Sequence, residues 1–347
     1  MDERTSNGRL LVFDCHEAWV YQLRVVDWPM DIVVGLPGRD TSGWDTAMRP
    51  VPANGSCVKL ADVLASPEIY DCIIAHNLSD LLDVKALEGP RLLVIHSTLG
   101  GIILDQHTVT PPDELRRAVS QYVRMIGAHV TAVSRLKGRS WGLDEDVVAL
   151  SADPADYPVY GGDLARGLRV ANQIRRKTKT LYWEFHEKAF AGIPLTLVGR
   201  NEDLPGVEAS RDWNDLKQIF RRHRFFIHTA DPELEDGYNM ATLEAMAAGM
   251  PVLGNAHPTS PIRNGVNGFL SSDPLELRAR AWQLLKDRDL AEQMGREARK
   301  TVAELFSLER FKTGIRRSIE TARAKWRDFS VSHLAGHAKI QETKPGV

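Results

Sequence analysis

Short runs of consecutive apolar residues recur along this chain, each followed by a polar or turn-forming segment. The runs at 9–14, 31–35, 70–77, 91–98 and 128–134 have the unbroken apolar character of parallel strands covered on both faces. Helical spacing fits 17–25 and 112–126, while 36–55 is a loop rich in Pro, Gly and Asp. Residues 153–162 hold two prolines and a glycine pair and read as a linker. The alternation then restarts, with strands expected at 168–172, 195–199, 225–229, 251–254 and 268–270. Helices are expected at 180–191, 212–222, 275–286 and 290–304, and a short one begins near Met240 and stops at Gly249. Two such series predict two Rossmann-like α/β domains facing across a cleft. Ligands of open parallel sheets bind beyond the carboxyl ends of the strands. His16, Glu17, His76, Asn77, His96 and Ser134 all fall there. A last helix over 308–329 places Phe311, Ile315, Ile319, Ala322 and Trp326 along one face.

Composition narrows the function classes more than the fold. The 347 residues suit two cores, and 43% hydrophobic with 26% charged residues is the balance of a soluble globular protein. A net charge of −2 gives no general attraction to nucleic acid, and the basic stretches lack the interleaved aromatics of base stacking. Cys15, Cys57 and Cys72 show no metal-ligand spacing and, with Cys15 and Cys72 in apolar runs, all three read as buried thiols of a reducing compartment. No signal-peptide core or bilayer-length apolar segment stands out, so a cytoplasmic location is expected. No His/Cys cluster or Gly-x-Ser-x-Gly elbow appears.

Candidate chemistry concentrates in Asp236-Gly-Tyr-Asn-Met-Ala-Thr-Leu-Glu244 and the following Ala-Met-Ala-Ala-Gly249-Met-Pro251-Val. An acidic loop here leads into a helix N-terminus, where unpaired N–H groups and the helix dipole favour an anion. Asp236 lies before that tip and Glu244 about one turn inside the helix. Two hydrogen-bond acceptors thus flank a phosphate seat, a setting for a phosphorylated sugar. The basic run Arg166, Arg169, Arg175, Arg176, Lys177, Lys179 supplies positive charge for a diphosphate, or else is a solvated loop. Arg116, Arg117, Arg124, Arg135, Lys137 and Arg139 form a second basic face, read as solvated, with peripheral membrane contact as the alternative.

The Asp236–Pro251 stretch resembles the acid-x7-Glu signature of the retaining GT-B glycosyltransferases, family 4-like, also called glycosyl transferases group 1. The resemblance is close in the C-terminal half and general in the N-terminal half. It implies a GT-B fold, with an acceptor-side domain over 1–152, a linker over 153–163 and a nucleotide-sugar domain over 164–310. Residues 311–329 would cross back onto the N-terminal domain, leaving a flexible tail at 330–347. The implied activity is transfer of a hexosyl group from a nucleotide diphosphate sugar, UDP- or GDP-linked, to an unidentified saccharide, lipid-linked or small-molecule acceptor. The resemblance implies no cofactor and no metal on the diphosphate.

Residue by residue, the resemblance assigns Glu244 to the donor's ribose hydroxyls and Asp236, with Glu235 as a helper, to the transferred sugar. Backbone groups of Gly237, Tyr238, Asn239 and Met240 and the Thr242 hydroxyl would hold donor oxygens. Lys177 falls on the family's diphosphate lysine, whereas Asn172 stands where its arginine belongs; Arg176, or else Arg175, is the candidate replacement. His96 resembles the histidine near the reacting sugar. His16 and Glu17 occupy the place of a glycine pair on the acceptor side, with Gly100-Gly101 following only later, which points to an unusual acceptor. Two other readings keep the fold: a sugar-nucleotide epimerase or phosphorylase-like enzyme, and a non-catalytic sugar-nucleotide binding subunit.

Overall fold

The computed structural model describes residues 8–36, 43–65 and 68–342. The first sheet contains β1 (Leu10–Phe13), β2 (Met30–Val33), β3 (Gly55–Val58), β4 (Cys72–Ala75), β5 (Arg91–Ile95) and β6 (His129–Ala132). All its pairings are parallel, in the order β3-β2-β1-β4-β5-β6, with Leu10 of β1 level with Met30 on one side and Cys72 on the other. The second sheet contains β7 (Leu164–Val170), β8 (Leu195–Val198), β9 (His223–Ile227), β10 (Val252–Asn255) and β11 (Gly268–Ser271). It too is parallel throughout, in the order β11-β10-β9-β7-β8. The strand order reverses around β1 in one sheet and β7 in the other, so each lobe has a ligand crevice at that strand's carboxyl end.

Strand β3 is absent from the sequence reading. Its Gly-Ser-Cys-Val sequence is partly exposed along its whole length at the sheet edge, so no apolar run announces it. The helices Leu60–Ala65, Leu78–Asp83, Leu99–Asp105 and Arg135–Trp141 are likewise too short for a helical period to show.

The final helix, Leu308–Glu342, leaves the second lobe and packs against β4, β5 and β6 of the first. Phe311, Ile315, Ile319 and Ala322 are buried there, and the Phe311 ring meets Trp19 edge-on at 5.8 Å. Arg317 and Ser318 both hold Asp146 of the first lobe, Arg317 at 2.6 Å. This is the crossing-back arrangement that the resemblance implies. The helix continues past 330, where a flexible tail was expected, because Ser330–Glu342 has no proline and a single glycine. Residues 343–347 of that tail lie outside the described residues.

One glycine pair fixes how the central helix of the second lobe is held. Helix Met240–Ala247 ends at Gly249, whose φ of 89° suits glycine. Helix Arg288–Leu305 crosses so closely that a Cβ on Gly295 would overlap the Gly249 carbonyl oxygen. Among the described residues, no helix is long and apolar enough to cross a membrane.

Candidate functional site

The acidic loop connects the end of β9 to helix Met240–Ala247. Asn239 is the helix cap: its Oδ1 accepts from both the Thr242 backbone N–H and the Thr242 hydroxyl, each at 2.9 Å. The cap leaves Met240 and Ala241, whose N–H groups have no acceptor one turn back, lining an interlobe cavity of about 370 Å³. Gly237 donates to Thr259 Oγ1 at 2.8 Å and has no room for a side chain, since a Cβ would lie 2.8 Å from His257 and from the Ser260 nitrogen. The Tyr238 ring packs into the core against Phe306 at 5.0 Å, so any ligand contact falls to its backbone.

The structure places the two acids of this loop differently. Glu235 lies on the cavity wall, while Asp236 is 2% exposed beneath it. Lys137 of the N-terminal lobe reaches both, at 2.7 Å to Glu235 and 3.4 Å to Asp236. Burial alone would lower the pKa of Lys137, but the two carboxylates raise it overall. The other oxygen of Asp236, Oδ1, is buried with no hydrogen-bond partner among the described residues. The expectation of a solvated basic face therefore fails at Lys137. Helix Arg135–Trp141 turns its side chain inward, where it is 7% exposed and ion-paired across the cleft.

Glu244 is paired across the cleft as well. Arg49, from the loop after β2, donates to its carboxylate, and both side chains are buried. The Arg49 guanidinium also lies over the Trp213 ring, 4.1 Å from its centroid. Arg200, after β8, makes a third cross-lobe pair with Asp45 at 3.1 Å. Sequence reasoning missed Arg49 and Arg200 because each is a single cation in a loop without periodicity. Glu244, Arg49 and Arg200 line a second interlobe cleft of about 650 Å³, together with Asn172 and Gly199. Gly199 has a φ of 145° and abuts the Ala171 carbonyl, so this wall leaves no space for a side chain.

Of the six basic residues after the linker, only Lys177 lines either interlobe cavity. Arg169 is 2% exposed and turned into its own lobe, where it donates to Thr229 Oγ1 at 2.6 Å and to the carbonyls of Leu181 and Thr229. Burial lowers its pKa to about 9. Arg169 thereby ties the end of β9 to the segment that carries Lys177. Arg166 bonds Thr196 and the Leu195 carbonyl, and Arg175 lies 3.9 Å from Asp203. Arg176 is exposed and donates to the Asp105 carbonyl at 3.5 Å. Asn172 lines both interlobe cavities and neither Arg175 nor Arg176 does; the Asn172 side chain accepts from the Arg200 backbone N–H at 2.9 Å.

On the N-terminal side, His16 caps helix Glu17–Val20 by accepting from the Trp19 N–H, and Glu17 accepts from the Asp45 N–H. His96 shares a 2.8 Å hydrogen bond with His76 and faces the Trp19 ring edge at 5.3 Å. Burial holds His96 well below the ordinary histidine pKa, aided by the neighbouring His76. The sequence contains no His/Cys cluster by spacing, yet folding brings Cys15, His76 and His96 together. Strands β1, β4 and β5 are neighbours in the sheet but far apart in the chain, so spacing could not reveal this.

Comparison with known proteins agrees with this architecture. Residues 187–287 match the family model described as glycosyl transferases group 1. The N-acetyl-alpha-D-glucosaminyl L-malate synthase of Bacillus anthracis is 36% identical over 80 residues, covering 22% of this chain and 21% of that protein. The match thus spans about a fifth of that relative's length. Among solved structures, Anabaena HepE in complex with UDP and glucose superposes with a TM-score of 0.64 at 14% identity, covering 90% of this chain and 99% of that one. Sucrose-phosphate synthase from Thermosynechococcus elongatus gives 0.61 at 14% identity, covering 89% and 97%. S. aureus TarM, as a variant bound to Fondaparinux, alpha-GlcNAc-glycerol and UDP, gives 0.56 at 13% identity over 75% and 58%. The fold is GT-B, and the resemblance to glycosyl transferases group 1 holds in the second lobe.

Proposed function

We propose that this protein is a retaining glycosyltransferase that moves a hexosyl group from a nucleotide diphosphate sugar to an acceptor held by the N-terminal lobe. One observation carries the reading: Lys177 and the first turn of helix Met240–Ala247 share one interlobe cavity, and Glu244 opens onto the adjoining one. A diphosphate between them meets a lysine and a helix N-terminus, which together oppose the charge that develops as it leaves. No metal on the diphosphate is needed for that balance. Glu244 keeps lone pairs beyond those used by Arg49 and accepts from the ribose hydroxyls. Glu235 and Asp236 form the sugar side, with Lys137 fixing their carboxylates. UDP-bound neighbours of the same fold support a nucleotide-sugar donor.

In the retaining, front-face route, the departing phosphate takes the acceptor's proton while the acceptor oxygen attacks from the same side. The protein's part is alignment and charge stabilisation. His96 lies on the acceptor-side wall of both cavities, with His16, while Glu17 lines the larger.

The test is nucleotide release and product analysis with a panel of nucleotide sugars and sugar acceptors. A new glycoside with retained anomeric configuration is expected, with Lys177→Ala lowering turnover by about a hundredfold or more, as loss of one oxyanion-type donor does. A requirement for inorganic phosphate, or release of an isomerised free sugar, would replace transfer with phosphorolysis or epimerisation. Binding without turnover would favour the non-catalytic subunit, a reading to which Asn172 in the arginine's place lends support.

A further inference from the structure

We propose that Cys15, His76 and His96 form a binding site for a divalent cation of the zinc type. The chain leaving β1, β4 and β5 delivers the three side chains to one point, with one ligand atom from each within 4.8 Å of the others. Cys15 and His96 are half-buried and His76 is buried. The two imidazoles are already close, with His76 Nδ1 2.8 Å from His96 Nε2. Trp19 lies edge-on to both rings, at 4.8 Å and 5.3 Å, and limits their rotation.

A tetrahedral zinc ion, with bonds of about 2.0 Å to nitrogen and 2.3 Å to sulfur, sets its nitrogens about 3.3 Å apart and its sulfur about 3.5 Å from each. The rings therefore part by about half an ångström, and the thiol closes in by side-chain rotation. On binding, the Cys15 thiol proton passes to solvent and the sulfur donates its electron pair to the metal. The imidazole that held the shared proton returns it to its outer nitrogen, so that both inner nitrogens offer lone pairs. One thiolate and two imidazoles suit a borderline-soft ion and not the oxygen-seeking Mg²⁺ or Ca²⁺. Three protein ligands leave a fourth position open. All three residues line the 650 Å³ cleft, so that position faces it and can take an oxygen atom from water or an acceptor.

His96 also lines the cavity beside the acidic loop, but metal binding at this site does not depend on sugar transfer. Its test is metal binding by the full chain, with any affinity tag removed and the thiols kept reduced. Competition against a chromophoric chelator should show one tightly held Zn²⁺ per chain. Cys15→Ser and His76→Ala should each weaken it by at least about a hundredfold, the upper end of what losing even a supporting partner costs. His129→Asn, a buried histidine elsewhere in the same sheet, should leave it unchanged. Co²⁺ loaded into the unaltered protein should show a thiolate-to-cobalt charge-transfer band and the d–d bands of a tetrahedral site. This spectrum decides the matter even where a variant fails to fold. Absence of stoichiometric binding, a spectrum without the thiolate band, or unchanged affinity in folded Cys15→Ser would overturn the proposal.

Discussion

Replacing Lys137 by methionine keeps most of the side chain's volume and removes its charge. In the folded protein that charge sits 2.7 Å from Glu235 and 3.4 Å from Asp236. The side chains of Lys137 and Asp236 are 7% and 2% exposed, while Glu235 keeps 24%. Breaking a buried pair costs about 3–5 kcal/mol, because a charge is left without its partner. Glu235 retains water and offsets part of that, so about 3 kcal/mol is the expected loss. The loss should depend on pH. With the lysine gone, two adjacent carboxylates, one of them deeply buried, hold a proton more tightly folded than unfolded. The folded variant then binds more protons than the unfolded chain, so its stability falls as pH rises. Urea unfolding at pH 5 and pH 8 reads both effects: the gap between Lys137→Met and the unaltered protein should widen at pH 8. Lys188→Met, which breaks an exposed pair with Glu184, is the control and should leave the midpoint unchanged. A Lys137→Met midpoint equal to the unaltered one at both pH values would refute the interlobe pair.

Two further outcomes follow from the same structure. Arg169→Met removes its bonds to the Thr229 hydroxyl and to the Leu181 and Thr229 carbonyls, leaves the direct Thr229 hydroxyl to Leu181 carbonyl bond in place, and should cost about 1–3 kcal/mol; an unchanged unfolding midpoint counts against the anchoring role. Acid should destabilise the protein through His228, buried next to the Asp236 carbonyl, whose pKa burial lowers from 6.5 to about 4. Its neutral form favours folding above pH 6.5, and that contribution, about 3 kcal/mol at most, is lost as pH falls from 6.5 toward 4. His228→Gln should flatten the fall of melting temperature over that window, and an identical slope would exclude this histidine as its source.

The parts of the molecule built from long apolar runs were legible in the sequence. Strands β1, β5 and β9 and the crossing-back helix announce themselves because burial on both faces, or along one stripe, forces an apolar pattern. The helix at Met240 was legible for another reason: an acidic, glycine-containing loop leads into it, and a stop glycine and a proline punctuate its end. Strand β3 and the short N-terminal helices were not, since exposure and brevity erase periodicity. The cross-lobe cations were hidden too. Nothing local distinguishes Arg49 or Lys137 from a solvated base; only the approach of the second lobe makes them partners of Glu244 and Asp236. The same holds for Cys15, His76 and His96, which strand order brings together from three separate turns.

The most direct test of a nucleotide-sugar site at the Met240 helix tip is ligand-induced stabilisation across UDP-, GDP-, ADP- and dTDP-sugars. A ligand at a hundredfold excess over its Kd adds about 2.7 kcal/mol, enough to move the melting temperature measurably. One nucleotide sugar should raise it in the unaltered protein and raise it much less in Glu244→Gln. No shift with any member of the panel, or an equal shift in Glu244→Gln, would contradict the account.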